Sequence, residues 1–185
     1  MKVIRTDLPG CLVLEPRVFE DARGYFYESF NRDKLVAAGL SPQFLQGNVS
    51  RSSQRVLRGL HFQNPKAQGK LVSVLEGEVW DVAVDIRRGS PHFGRWTAVL
   101  LSGANKRHFW IPEGFAHGFV TLSETALFNY VCTDTYDREA DAGIRWNDAA
   151  LAIDWPVADP QLSAKDAQAP FLADVAPDRL PLYLP

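Results

Sequence analysis

From Val56 to Tyr136 the chain is built of alternating or continuous apolar runs, LVSVLEGEVWDVAVDI, WTAVLL and TALFNYVC among them, separated by Gly, Pro, Asn and Ser. A side-chain repeat of two belongs to a strand, whereas a helix needs apolar positions three and four apart. The segment therefore predicts β-strands. The Glu76-Gly77-Glu78 turn between two apolar runs suits a meander or jelly roll better than alternating βα units. The expected fold is mainly β, an antiparallel jelly-roll barrel with short flanking helices. Val3 to Phe19, broken by Pro9, Gly10 and Pro16, reads as short edge-forming strands. The convincing helix spans Asp33 to Gly39, with the glycine as a natural stop. After Asn147 the chain is rich in Ala, Asp and Pro, yet Ile153, Trp155, Leu162, Phe171 and Leu172 want burial, so this tail is expected to pack over the barrel.

A length of 185 residues suits one domain spanning 1–185 with its own core. A net charge of -2, with Lys and Arg scattered among Asp and Glu, leaves no broad basic face for nucleic acid, so any anionic ligand must be held locally. Cys11 and Cys132 show no CxxC spacing and no secretory disulfide framework. The opening MKVIRTDLPG has no apolar signal core, and no stretch approaches the roughly 20 apolar residues that span a bilayer. A cytoplasmic protein with reduced thiols and no membrane insertion is expected.

The four histidines differ in setting. His61 lies in RVLRGLHFQ, where strict alternation would put Arg58 and His61 on opposite faces of a strand; His117 follows a Pro and Gly turn in WIPEGFAHGF and could point into a barrel mouth. His92 and His108 read as surface or turn residues. An imidazole acts as general base when a carboxylate orients its other ring nitrogen. Asp81, Asp85 and Asp166 are all candidates for that carboxylate, and the residues leave the choice open. Small jelly rolls of the cupin type often bind a metal through a close His pair plus a carboxylate and a later His. Here Phe62 and Gln63 follow His61, so the pair is missing and no catalytic metal is expected. Lys70, at the start of an apolar strand, is costly to bury unless it faces an anion such as an enolate or phosphate; its bland alternative snorkels to water. Tyr130 could place a phenol in the same interior. Arg23 at a glycine turn suits bidentate phosphate binding, although an exposed surface ion pair is the ordinary reading of that residue alone. Phe26, Tyr136 and Trp146 could stack on a base.

The blocks FEDARGYFYESF, FLQGNVSRSSQRVLRGLHFQ, GKLVSVLEGEVWDVAVDIRRGSPHFGRW, FWIPEGFAHGF, and TDTY followed by IRWND resemble, in order, those of the dTDP-4-dehydrorhamnose 3,5-epimerase family, from the first strand to the SAKD segment. The resemblance implies a cupin-type barrel and an epimerase that needs no cofactor, converting dTDP-4-dehydro-6-deoxy-D-glucose to dTDP-4-dehydro-L-rhamnose. It implies His61 as the base, Asp166 as its orienting carboxylate, Lys70 as the group stabilising the enolate oxygen, and Tyr130 as the phenol returning a proton from the opposite face. It implies sugar-nucleotide contacts at Arg23, Glu28, Gln46, Asn48, Arg58, His117 and Lys165, and thymine stacking on Tyr136. It also implies a homodimer in which strands of one subunit complete the partner's sheet and site. Two departures stand out: Asp141, where the family usually has Glu, keeps a carboxylate one methylene shorter, and Gly47 is expected to loosen a loop that normally carries a side chain. The competing expectations are a 3-epimerase of another deoxysugar route, a non-catalytic sugar-nucleotide-binding cupin, and a metal-dependent cupin dioxygenase or isomerase.

Overall fold

In the computed structural model, which describes residues 1–40 and 43–184, the chain runs through β1 (Lys2–Arg5), β2 (Leu12–Glu15), β3 (Val18–Asp21), β4 (Gly24–Tyr27), α1 (Arg32–Ala37), β5 (Gln46–Ser53), β6 (Leu57–Gln63) and β7 (Lys70–Glu76). It continues through β8 (Glu78–Asp85), β9 (Trp96–Ser102), β10 (His108–Ile111), β11 (Phe115–Thr121), β12 (Thr125–Cys132), β13 (Asp141–Gly143) and α2 (Ala164–Ala167), ending in two short 3-10 turns. Six strands form one antiparallel sheet in the order β1-β2-β10-β7-β12-β5, five form a second in the order β13-β6-β11-β8-β9, and β3 and β4 pair only with each other.

The two large sheets face one another across one core. Val72, Val74, Phe109, Ile111 and Phe128 from the first meet Val79, Ala83, Leu101, Phe115 and Phe119 from the second. Pleating delivers these side chains, and the same parity carries Lys70, Tyr130 and Cys132 inward from β7 and β12, and Asp81 and His117 inward from β8 and β11. Gly77 marks a crossing between sheets, since β7 and β8 belong to different ones; this makes the arrangement a jelly roll and excludes the meander. A Cβ at Gly77 would stand 2.0 Å from the Thr125 carbonyl oxygen, so the crossing has room for glycine alone.

Strict alternation fails at β6. In its pairing with β11, His61 lies opposite His117 and Arg58 opposite Phe119, so Gly59 and Leu60 together face Gly118. This is a β-bulge, one extra residue that resets the parity, and it turns both Arg58 and His61 to the interior, correcting the expectation of opposite faces. Gly59 has φ +117°, and a Cβ there would lie 2.6 Å from the Gly118 Cα and from the His117 carbonyl oxygen, so a side chain cannot enter the bulge.

The tail packs as expected. Leu151, Leu172 and Leu180 join Leu60, Phe62, Val82, Val84, Ile86 and Ile144 in a second core on the outer face of the five-stranded sheet; Phe171 stays half outside, under the Arg145 guanidinium 4.5 Å from its ring centre. Helix α1 begins one residue before its expected start, with the Asn31 side chain accepting from the Lys34 N–H at 3.1 Å, and Gly39 follows its end at φ +84°. Gly47 belongs to strand β5 opposite Val131 and loosens no loop; a Cβ there would meet Val131 at an ordinary 3.6 Å.

His92 occupies a turn, but His108 corrects the surface reading: it is buried in β10 beside Tyr27, and its Nε2 has no hydrogen-bond partner among the described residues. Burial pushes its pKa down to about 4. Between the ordinary value and about 4 the unfolded chain binds a proton that the native chain refuses. This contribution to stability is intact above the unfolded value and is lost as pH falls, about 2–3 kcal/mol by the lower end. Denaturant unfolding at pH 7 and pH 4.5 is expected to show His108→Leu flattening this loss relative to the parent chain; an unchanged slope would refute the assignment.

Candidate active site

A cavity of about 500 Å³ opens at one end of the barrel, lined by Ser50, Arg58, His61, Lys70, His117, Phe119, Phe128, Tyr130, Lys165 and Asp166 among others. Its floor is aromatic: Phe119 and Phe128 stack at 4.1 Å between ring centres, and His117 lies 6.1 Å from Phe128.

Of the three carboxylates open to His61, tertiary structure brings up Asp166, whose Oδ1 is 2.6 Å from His61 Nε2. Ser163 caps α2 by accepting from the Asp166 N–H at 3.1 Å, and this short helix, absent from the sequence reading, carries the buried carboxylate to the mouth. Burial pushes the Asp166 pKa up, but the hydrogen bond and charge of His61, with bonds from Ser163 and the Gly59 backbone, outweigh it and leave the carboxyl below its ordinary value. An ionised carboxylate on Nε2 keeps the proton there and leaves Nδ1 with the free lone pair.

Asp81, by contrast, belongs to His117: both its oxygens lie 3.0 Å from His117 Nε2. Asp85 is tied to Arg87 and Ser90 at 2.7 and 2.6 Å. Lys70 does not snorkel; it is 7% exposed and has no carboxylate within salt-bridge distance among the described residues. Burial lowers its pKa, partly offset by Cys132, Asp81 and Asp141. The Tyr130 phenol is raised by burial and by Cys132, with Arg58 opposing, and so remains protonated. Arg58 is braced by Ser52, whose Oγ accepts from its Nε at 3.0 Å.

A second polar group gathers at the rim. The Tyr136 N–H donates to Gln46 Oε1 at 2.7 Å and its hydroxyl to Asp141 Oδ2 at 3.1 Å, while Lys165 forms an ion pair with the same carboxylate. Gln46 donates to Asn48 at 3.0 Å, and Asn48 is the cross-strand partner of Tyr130. Arg23 and Glu28 are not brought here. Arg23 is 90% exposed in the β3–β4 turn, paired with Asp21, and Glu28 is bound by Lys34 and Asn31. Phe26 is likewise exposed, and Trp146 lies by the tail, its carbonyl accepting from Trp155 Nε1. Reading of the residues passed over Asp81 as the partner of His117, and Phe119 and Phe128 as the floor; parity along β8, β11 and β12 held the signal for all three. Among the described residues no three His, Cys, Asp or Glu side chains cluster as metal ligands.

A model of the family described as dTDP-4-dehydrorhamnose 3,5-epimerase matches residues 5–174. The chain is 55% identical over 177 residues to the dTDP-4-dehydrorhamnose 3,5-epimerase of Salmonella typhimurium, covering 93% of this chain and 96% of that one. It is 54% identical over 176 residues to the enzyme of that name from Pseudomonas aeruginosa, covering 94% and 97%. Its fold matches the crystal structure of a Legionella pneumophila dTDP-6-deoxy-D-glucose-3,5-epimerase in complex with dTDP-4-keto-L-rhamnose, with a TM-score of 0.97, 52% identity and coverage of 100% and 99%. A 3'-monoepimerase from Streptomyces bikiniensis in complex with dTDP-quinovose is also similar, at a TM-score of 0.89 and 32% identity, covering 96% and 92%. The chain belongs to the dTDP-4-dehydrorhamnose 3,5-epimerase family.

Proposed function

We propose that the protein inverts C3 and C5 of dTDP-4-dehydro-6-deoxy-D-glucose to give dTDP-4-dehydro-L-rhamnose in dTDP-L-rhamnose biosynthesis. The observation that carries this reading is the pairing of His61 with the buried Asp166 carboxylate in one cavity with Lys70 and Tyr130. The C4 ketone acidifies the hydrogens on both neighbouring carbons. His61 Nδ1 takes the C3 proton, the C–H electrons move into an enolate, and the Lys70 ammonium stabilises the oxygen that becomes negative. The Tyr130 phenol returns a proton to the opposite face, its oxygen is reprotonated from solvent, His61 sheds its proton, and the cycle repeats at C5. The enolate carries both electrons throughout, so the chemistry calls on no redox cofactor.

Arg58, His117, Gln46, Asn48, Tyr136, Asp141 and Lys165 hold the sugar nucleotide, Tyr136 stacking on the thymine and binding energy remote from the reacting carbons orienting the ring. Arg23 and Glu28 reach the site of a second copy in a homodimer. Support comes from the β3–β4 hairpin, whose strands pair with no others among the described residues, its exposed Phe19, Tyr25 and Phe26, and an apolar groove of about 710 Å³ on the outer face of the six-stranded sheet, where Phe30, Phe44 and Leu75 lie. The chain acts as one domain, and the two buried free thiols, Cys11 and Cys132, fit the reducing cytoplasm.

Proton NMR of the protein with dTDP-4-keto-6-deoxyglucose in deuterated water tests the reaction. Deuterium entering at both C3 and C5 is expected. Exchange at C3 alone would replace this reading by a monoepimerase like the Streptomyces relative, and exchange at neither carbon would leave a binding module.

A further inference from the structure

The barrel interior contains a second histidine–carboxylate pair built like the first. His61 and His117 are cross-strand partners on β6 and β11, and each turns Nε2 toward a carboxylate, Asp166 at 2.6 Å and Asp81 at 3.0 Å. They differ in depth: the His117 side chain is 8% exposed and Asp81 is sealed, against 35% for His61. Burying a pair this deep costs desolvation that only its own hydrogen bonds and charge attraction offset.

Nε2 of His117 stands 3.0 Å from both Asp81 oxygens, the arrangement of one N–H bisecting an ionised carboxylate. Burial pulls both groups toward their neutral forms, lowering the His117 pKa and raising that of Asp81. The Lys70 and His61 charges further disfavour a proton on His117, while Lys70 favours charge on Asp81. The outcome consistent with the geometry is a neutral imidazole donating to a carboxylate. Its Nδ1 then carries a lone pair and has no hydrogen-bond partner among the described residues, although His117 lines the cavity. Lys70 lines the same cavity, and its ammonium can only donate. An acceptor and a donor thus stand unpartnered in one pocket.

We propose that Asp81 is a positioning residue that keeps the His117 proton on Nε2, so that His117 Nδ1 accepts from the sugar's C3 hydroxyl while Lys70 donates to the adjacent C4 oxygen. The two residues together read an α-hydroxy ketone. This rests on the reading of the site as that of a 4-keto-sugar epimerase. With the Asp81→Asn amide NH₂ donating to Nε2, the ring proton moves to Nδ1, which can then no longer accept; the hydroxyl turns a lone pair to it and its own hydrogen loses its acceptor. A buried donor left without an acceptor weakens recognition by roughly 10- to 100-fold.

The test is deuterium wash-in at C5, a carbon three bonds from the C3 hydroxyl oxygen, for the natural substrate and for its 3-deoxy analogue, on the same preparations. Asp81→Asn is expected to slow exchange of the natural substrate by that factor and to leave the analogue, which lacks the hydroxyl, within about 3-fold of the parent protein. Because both substrates meet the same sample, a loss of folded protein cancels in the ratio. Should Asp81→Asn alone fail to fold, Asp81→Asn combined with His117→Gln keeps a hydrogen bond at position 81 without a ring nitrogen facing the cavity, and the same selective penalty is expected. An equal penalty on both substrates, or none on either, overturns the proposal. Absence of exchange by the parent protein would instead overturn the proposed function.

Discussion

His61→Ala is expected to slow deuterium exchange at C3 and at C5 by roughly 10³- to 10⁴-fold, the upper range for loss of a positioned general base. Both carbons should suffer together, because His61 is the one base that serves C3 and C5 in the proposed cycle and a single cavity receives the ring. Asp166→Asn should cost roughly 10²-fold or more, since the amide can donate to Nε2 and drive the ring proton onto the nitrogen that must accept from carbon. Binding of dTDP, measured by calorimetry, should change little in either variant, because neither side chain sits in the rim cluster around Tyr136 and Gln46. Initial wash-in rates followed by NMR make the comparison. A His61→Ala protein that keeps a tenth of the parent rate at either carbon would remove His61 from the role of base.

Mixing two variants impaired at different residues of the site is expected to restore activity. Arg23 sits at a hairpin tip and does not line its own chain's cavity, so under the proposed dimer Arg23→Ala should weaken turnover only through the partner's site. Arg23→Ala and His61→Ala chains, unfolded together and refolded, would form about half heterodimers, each with one site holding both native residues. About a quarter of the parent activity should return from this random pairing. Recovery no greater than the sum of the two separate proteins would place Arg23 outside the site or the protein outside a dimer. Light scattering of the parent chain decides between those two failures.

Much of the barrel is legible in the chain because pleating is local. LVSVLEGEVWDVAVDI separates inward from outward residues by parity alone, and that parity already places Lys70 with Val72 and Val74, and Asp81 with Val79 and Ala83. The burial of the tail follows from its large apolar residues, which have no other place to go. The burial of His108 is not legible in the chain, because a lone polar residue between Arg107 and Phe109 signals nothing about what covers it; the cover is Tyr27, from a hairpin about 80 residues earlier.

The strand repeat, the positions that point inward, the family and the residue types available for proton transfer are all local properties of the chain. How those residues pair is settled only when distant segments fold together. Whether Asp81, Asp85 or Asp166 meets His61 depends on a contact 105 residues apart, made by a four-residue helix that has no periodicity to betray it. That Arg58 and His61 share a face depends on one bulge, where Gly59 and Leu60 oppose Gly118. A bulge requires a pairing partner in register, and register is a property of two strands together, so no reading of one strand alone contains it.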